Sequence, residues 1–417
     1  MYKKGLNKNL KDYLRSRPFI GAVSAVLVAG SILGYSYFTK PQKTIEDIKQ
    51  PGVEITVSPY EGDTDSLDKI IRSQPEKQIG EKKSKSFESV KVNPYNPETI
   101  DRAMQVMDYS AISGADEALV KNVKRKLKDI LSSEWCLKKY PEAFSQLSKF
   151  DDVLTSSRNY AIITQEMGVD AILNGKRAVS SKGATGYGQL MDCAKGEQAI
   201  TSTHAIDESF DPLKGNRASA AHLIKYGFSE LEKLAPRLGL DLAVYNWGVG
   251  NVSAELANII ESRGEDPTEI FLYSRNNKGE KTYPIIGLKN PEKLDDFNLS
   301  YDQFRAKLPL QTKNYIENVS ALQVFLENIK MGKFENINFE NLPNFSEMFT
   351  SKALNAGENP FRLYKEHAQQ YGISWQQFQE FVNPHILNSR NLPAGTTLYV
   401  PKEVVSPNYF PERYSSS

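Results

Sequence analysis

The chain has little cysteine, little histidine and almost no net charge. Cys136 and Cys193 are the only cysteines in 417 residues, which excludes a disulfide scaffold and leaves open whether the two pair. The four histidines are scattered without metal-ligand spacing. A net charge of +1 gives no support for a nucleic-acid partner. A nucleophile elbow and a phosphate-binding glycine loop are also absent from the sequence.

Residues 18–39 carry no charged side chain and are numerous enough to cross a hydrocarbon core of about 30 Å as a helix. Six basic residues and one acidic residue precede them, so the positive-inside rule keeps residues 1–17 in the cytoplasm. A cleaved signal peptide is the alternative, but the run is long for one and ends in aromatic residues. We therefore expect a single-pass membrane protein with an extracytoplasmic main part, in the periplasm or at the cell surface.

Glu166 interrupts an apolar stripe. Ile162, Glu166, Val169 and Leu173 recur at helical spacing, which predicts a carboxyl group on the apolar side of a helix. Removal from water disfavours the charged carboxylate and raises its pKa, and a general acid working near neutral pH needs such a pKa. The spacing also fits a glutamate at the edge of the stripe that pairs with a lysine, so the stripe alone does not assign a role.

Three more motifs follow Glu166. Gly-Tyr-Gly-Gln at 186–189 comes after a Ser-Ser-Lys-Gly-Ala lead-in, Val-Tyr-Asn stands at 244–246, and Leu-Pro-Leu-Gln-Thr begins the stretch 308–315, which ends in tyrosine. In this order the motifs resemble those of the soluble-lytic-transglycosylase (SLT) family, which belongs to the lysozyme superfamily.

The chain departs from the family pattern at three positions. Met167 stands where the family has a serine after the glutamate, and Tyr187 and Gly188 stand where it has leucine and methionine. The spacing from Glu166 to Gln189 is also a few residues longer than usual.

The resemblance implies cleavage of the bond between N-acetylmuramic acid (MurNAc) and N-acetylglucosamine (GlcNAc) in peptidoglycan. Glu166 would protonate the glycosidic oxygen and then, as a carboxylate, accept the proton of the MurNAc 6-hydroxyl, leaving a 1,6-anhydro product. By the same resemblance Tyr315 orients Glu166, and neither a metal nor a cofactor takes part. For Trp247, stacking on sugar and packing within the domain are both open. The residues expected to bind the glycan are Gly186, Tyr187, Gln189, Tyr245, Asn246 and Trp247.

The segment 349–403 differs in character from the rest. Its pattern predicts two short helices, then a turn and a strand near 392–401. It resembles a LysM module, a small α/β fold that binds GlcNAc-containing glycans, and its position resembles the arrangement of the membrane-bound lytic transglycosylase D family. The usual Gly-Asp-Thr-Leu start is replaced by Gly-Glu-Asn-Pro-Phe at 357–361, so a docking domain without sugar affinity is the alternative.

The length exceeds one ordinary domain, and the predicted fold is mainly α: a lysozyme-like SLT domain, preceded by a transmembrane helix and a tether and followed by a small α/β LysM-like module. Residues 40–97 have too little apolar surface to offset the entropy of ordering, which predicts a tether. A hairpin or an inserted loop is expected at 273–283, in an insertion at 264–307. The predicted segments are a cytoplasmic tail (1–17), a transmembrane helix (18–39), a flexible linker (40–97), a helical extension (98–150), the SLT catalytic domain (151–330), a linker (331–348), the LysM-like module (349–403) and a tail (404–417).

Three functions fit these motifs. The first is a membrane-anchored lytic transglycosylase that acts on the glycan strands of peptidoglycan. The second is a goose-type lysozyme-like hydrolase, which needs a second acid near the groove, such as Asp170, Asp192 or Asp207. The third is a non-catalytic glycan-binding scaffold.

Overall fold

The structure, a computed structural model, describes residues 88–226, 231, 233–275, 278–283, 288–390 and 392–411. The predicted cytoplasmic tail, the transmembrane helix and the linker up to residue 87 lie outside the described residues. Within the described ranges, none of the helices combines the length and the hydropathy that a bilayer crossing requires. These ranges are mainly helical, as the sequence predicts.

The helices fall into two stretches of the chain. Those before the glycine-rich segment at 248–250 are α1 (Pro97–Val106), α2 (Glu117–Leu131), α3 (Glu134–Ser148), α4 (Asp151–Leu154), α5 (Ser157–Met167), α6 (Val169–Leu173), α7 (Asp192–Glu197), α8 (Lys214–Tyr226), α9 (Leu234–Leu238) and α10 (Leu240–Trp247). Those after it are α11 (Val249–Ser262), α12 (Pro291–Asp295), α13 (Tyr301–Lys307), α14 (Leu310–Lys330), α15 (Phe345–Met348) and α16 (Pro360–His367). Short 3-10 turns lie at Ser110–Ile112, Glu208–Phe210, Pro267–Glu269, Gln369–Tyr371 and Pro407–Tyr409.

Helix α14 lies at the centre of the packing and contacts α2, α5 and α10. Most of its residues are buried, and Ile316, Val319 and Phe325 are fully buried, as in a helix enclosed by others. Glu317, one of its two glutamates, is fully buried and accepts a hydrogen bond of 2.7 Å from Nε of Arg305. A helix held on several sides gives its first turns a fixed position, and these turns carry the motif at 308–315.

Helix α5 carries Glu166 in its last turn. Ser156 caps the start of α5 by accepting a hydrogen bond from the backbone N–H of Asn159. The helix ends at Gly168, whose φ of 78° lies in the left-handed region that glycine adopts without strain. The stripe predicted on one helix is therefore divided, because Val169 and Leu173 belong to α6.

The segment 331–348, predicted as a linker, is packed against the helical core. Phe334 and Phe345 are buried and belong to the apolar cluster that contains the residues of α14, and the Phe334 ring contacts Phe325 of that helix. The described start of the chain packs there as well, since Val90 forms a parallel bridge with Phe334 and Val92 is buried. These spaced aromatic and β-branched residues were too few for a periodic signal, and their burial follows from the tertiary fold.

The C-terminal module (residues 349–403) has the order strand, helix, helix, strand. Strand β3 (Phe349–Ala353) pairs antiparallel with β4 (Thr397–Pro401), and α16 and a π-helix (Gln377–Val382) lie between them in the chain. The two helices and the late strand agree with the predicted pattern, whereas β3 was not predicted. Phe345 stacks on Phe349 with ring centroids 4.6 Å apart, so the module packs directly on the preceding segment.

The hairpin predicted at 273–283 is present. Strands β1 (Ser274–Arg275) and β2 (Lys281–Thr282) pair antiparallel, with Ser274 opposite Thr282 and Arg275 opposite Lys281.

The packing of the segment 331–348 is testable through stability. We expect Phe345→Ala to lower the free energy of unfolding by about 3–5 kcal/mol, since it removes a fully buried ring and leaves a cavity. The matched control Phe361→Ala, at a ring that is 41% exposed, should cost about 1 kcal/mol. Denaturant titration of both variants measures the difference, and equal losses would contradict the packed segment.

Candidate active site

The carboxyl group of Glu166 is taken out of water by its surroundings. Tyr160, Ile162 and Ile163 of the same helix are buried, and Glu166 itself keeps only part of its surface exposed. Burial raises the pKa of Glu166 to about 7, and the nearby Tyr315 hydroxyl lowers it by a smaller amount. At neutral pH the group is thus close to half protonated, so it can both give and accept a proton.

Two tyrosines from different helices lie against this carboxyl group. The rings of Tyr245 (α10) and Tyr315 (α14) stack almost parallel, with centroids 6.4 Å apart. Burial, and then the charge of Glu166, raise the pKa of both phenols well above the ordinary value, so both stay protonated. The Tyr315 hydroxyl is near enough to Glu166 to affect its pKa, but it is buried without a hydrogen bond of ordinary geometry. It is therefore an available donor to the carboxylate.

The Gly-Tyr-Gly-Gln loop reaches the same place through its backbone. The Tyr245 hydroxyl donates a hydrogen bond of 2.7 Å to the carbonyl oxygen of Gly188. A side chain at Gly188 would collide with Ser219 of α8 and with Tyr245, so only glycine fits. The family pattern has a methionine at this position, and the close approach of Ser219 accounts for its absence here.

The side chain of Gln189 holds its own loop. Its Nε2 donates hydrogen bonds of 3.0 Å to the carbonyl oxygens of both Ala178 and Gly186. The backbone of Gln189 has a φ of 50°, an uncommon conformation for a residue other than glycine. The side chain predicted to bind sugar thus has its amide nitrogen engaged within the loop. Gln189 shapes the site at least through this bracing.

Asn246 joins the third motif to the fourth. Its Oδ1 accepts a hydrogen bond of 2.9 Å from the Thr312 hydroxyl, at the start of α14. Because the amide oxygen is used this way, the orientation of the group is fixed and its N–H donors remain for a ligand. The neighbouring Trp247 is partly exposed and packs on the core, and stacking on sugar stays a prediction.

Tyr187 is placed differently from the other predicted glycan contacts. Its ring meets Phe150 edge-on, with centroids 5.7 Å apart, and burial raises the pKa of its phenol. Tyr187 and Gly186 line a cavity together with Met167, whereas neither Glu166 nor Tyr315 borders it. The departures from the family pattern at positions 167 and 187 therefore meet at one apolar cavity beside the site. The structure gives Tyr187 a packing role.

Several residues of the site were not singled out from the sequence. Ser219 lies beneath Gly188, and His222, one turn later on α8, meets the Tyr245 ring edge-on at 5.5 Å. Arg158 forms a part-buried salt bridge with Asp241, which joins α5 to α10. Their residue types and spacings are common on helices, so no pattern in the sequence distinguishes them.

The three acids considered for a hydrolase differ in their surroundings. Asp170 is exposed and the Asp192 side chain is 93% exposed. Asp207 is buried, and burial alone would raise its pKa, but hydrogen bonds from Ser209 and Lys195 hold the pKa below its ordinary value. Its Oδ2 lies 3.1 Å from Nζ of Lys195, so this charge is already paired.

Among the residues that the structure describes, His, Cys, Asp and Glu side chains form no cluster suited to a metal ion. No protein-family model matches the chain, and a search of curated proteins finds no match either. The resemblance to the SLT family therefore rests on the motif residues themselves.

The raised pKa of Glu166 predicts a pH-dependent effect of Glu166→Gln on stability. Between the unfolded value of 4.5 and the folded value of about 7, the folded state holds a proton that the unfolded state has lost, so stability falls as the pH rises. Glutamine cannot ionise and escapes this loss. We expect Glu166→Gln to be more stable than the wild type at pH 8 by roughly 1–3 kcal/mol.

At pH 4 the two proteins should differ little, because Glu166 is then protonated in both states. Urea titrations at pH 4 and pH 8 measure the effect, with Asp170→Asn at an exposed acid as the control. Lower stability of Glu166→Gln at pH 8 would show that the carboxylate is well solvated.

Proposed function

We propose that the protein is a peptidoglycan lytic transglycosylase that cleaves the MurNAc–GlcNAc bond. The observation that carries the proposal is a carboxyl group with a pKa of about 7, flanked by two protonated tyrosines. All four sequence motifs contribute to this place: Glu166, the carbonyl of Gly188, Tyr245 with Asn246, and Tyr315 with Thr312.

In the first step the protonated Glu166 gives its proton to the glycosidic oxygen, and the bond from this oxygen to the anomeric carbon breaks. Glu166 is left as a carboxylate, and the Tyr315 hydroxyl is placed to stabilise it with a hydrogen bond. In the second step this carboxylate takes the proton of the MurNAc 6-hydroxyl, and the oxygen of that hydroxyl forms a bond to the anomeric carbon. The proton returns to Glu166, water is not consumed, and the product is a 1,6-anhydro sugar.

A hydrolase of the goose-type class would need a second carboxylate to activate water. Of the acids considered for this role, Asp207 is neutralised by Lys195, and Asp170 and Asp192 are exposed on the surface. These surroundings favour the reaction with one acid over hydrolysis. A scaffold without activity would have no use for a carboxyl group kept desolvated near neutral pH, which costs folding stability.

We further propose that residues 18–39 anchor the enzyme in the membrane, and that the lysozyme-like domain lies outside the cytoplasm and acts on peptidoglycan. The C-terminal module is proposed to be LysM-like, since its two antiparallel strands enclose two helices in the chain, which is compatible with a small α/β fold. Its glycan affinity is part of the same proposal.

Loss of the proton donor should abolish the reaction. We expect Glu166→Gln to lower the rate of glycan cleavage by roughly a hundred- to ten-thousand-fold, since the amide cannot supply a proton. Asp170→Asn, which removes an exposed acid four residues further on, should cleave at the wild-type rate. Mass spectrometry of digested glycan measures both rate and product, and anhydro ends are the expected product. Reducing ends would establish hydrolysis instead, and intact polymer with bound protein would establish a scaffold.

Removal of the Tyr315 hydroxyl should move the pH profile. Cleavage needs protonated Glu166, so the rate of the wild type should fall as the pH rises through about 7. The Tyr315 hydroxyl lowers the pKa of Glu166, so Tyr315→Phe raises it further, and the alkaline limb should shift to higher pH while the maximal rate falls. Cleavage rates measured from pH 5 to pH 9 test this. If the alkaline limb of the profile lies at the same pH in Tyr315→Phe and in the wild type, contact between Tyr315 and Glu166 is excluded.

A further inference from the structure

Arg177 links the catalytic loop (residues 178–190) to the C-terminal module. Its Nε donates a hydrogen bond of 2.6 Å to the carbonyl oxygen of Pro384, and its Nη2 donates one of 2.7 Å to that of Ile386. Two carbonyls from one short segment are thus held by one planar guanidinium group. Lysine cannot reproduce this arrangement, since its donors radiate from a single nitrogen.

The same segment is bonded from a second side. The backbone N–H of Asp207 donates to the carbonyl of His385 at 2.9 Å, and that of Leu387 donates to the carbonyl of Ala205 at 2.9 Å. Ile206 and Ile386 form an antiparallel bridge and belong to one small apolar cluster. The segment 384–387 is therefore fixed between Arg177 and residues 205–207, which makes it a rigid support.

The conformation of the loop that begins after Arg177 is held by hydrogen bonds to the carbonyl oxygen of its first residue, Ala178. The Ala178 oxygen accepts hydrogen bonds from the Gln189 side chain at 3.0 Å and from the backbone N–H of Gly186 at 3.3 Å. Gly188 precedes Gln189 in the loop, and its carbonyl oxygen accepts a hydrogen bond from the hydroxyl of Tyr245. The ring of Tyr245 in turn stacks on that of Tyr315. A displacement at the start of the loop therefore reaches the groups around the acid through a short series of direct contacts.

A second link between the module and the site runs through Asp211. Tyr399 of β4 donates a hydrogen bond of 2.9 Å from its hydroxyl to Oδ1 of Asp211. The same carboxylate accepts the backbone N–H groups of Leu213 and Lys214 at 2.9 Å and so caps the start of α8. Helix α8 carries Ser219, which lies against Gly188. Both links from the module end at the catalytic loop.

We propose that Arg177 is a positioning residue, and that the C-terminal module serves as a brace that holds the catalytic loop against Tyr245 and the acid. This inference rests on the proposed function for its effect on cleavage, but the bracing itself is a property of the fold. It gives the module a role that does not depend on glycan affinity.

The experiment uses Arg177→Met in the full chain, which keeps the length of the side chain and removes both donors. Lys176→Met, the exposed neighbour, is the matched control, and Arg177→Lys is the conservative variant. Hydrogen exchange is measured at the loop amides of Thr185 and Leu190, which bond to each other's carbonyls at 3.1 and 2.9 Å. Amides of α14 report whether the fold is intact. Cleavage rates are measured at saturating and at limiting glycan.

We expect Arg177→Met to exchange faster at Thr185 and Leu190 but not in α14, and to lower kcat by roughly tenfold, as misplaced catalytic groups do. KM should change less than about twofold, because the substitution displaces catalytic groups and does not remove a contact that binds the glycan. Arg177→Lys should fall between the wild type and Arg177→Met, and Lys176→Met should match the wild type.

The possible outcomes are distinct. Unchanged exchange at the loop overturns the brace, and faster exchange with unchanged kcat overturns the positioning role. A large rise in KM with unchanged kcat would assign Arg177 to glycan binding instead. If the wild type does not cleave glycan, the proposed function fails, and the exchange at Thr185 and Leu190 still decides whether Arg177 braces the loop.

Discussion

The site depends on keeping one carboxyl group out of water without giving it an opposite charge. Glu166 lies at the last turn of α5, close to Tyr315 and Tyr245. Besides burial, the side chain that affects its pKa is the phenol of Tyr315 and not a lysine or arginine. A cation beside it would lower its pKa and leave a permanent carboxylate, which cannot act as an acid. The positive charge of Arg158 is instead paired with Asp241. This separation of charges lets desolvation set the pKa.

The departures from the family pattern form one structural adjustment. Met167 and Tyr187 line the same cavity, and Gly188 makes room for Ser219 and Tyr245. The positions at which the chain differs from the SLT motifs thus lie in the packing behind the loop, whereas Glu166, Tyr245 and Tyr315 resemble those motifs.

The sequence predicted the helical class, the helices of the C-terminal module and, as one of two possibilities, the hairpin, because each depends on residues close together in the chain. It also predicted a carboxyl group on an apolar helix face, but the pKa of about 7 depends on burial beside residues of distant helices. It misjudged the segment 331–348, where the buried Phe334 and Phe345 are too widely spaced for a periodic pattern. It also treated the stripe through Glu166 as one helix, although Gly168 ends α5. A single glycine after an apolar run does not show whether a helix continues.

The sequence by itself determined which residues form the four motifs, since the type and order of the motif residues do not depend on how the chain folds. Only the tertiary structure decided what each does. In the fold Tyr187 lines a cavity, and the amide nitrogen of Gln189 donates a hydrogen bond within its own loop. Arg177 donates a hydrogen bond to a segment more than two hundred residues away. The physical reason is that burial and hydrogen bonding between distant segments depend on packing of the whole chain, which local patterns do not encode.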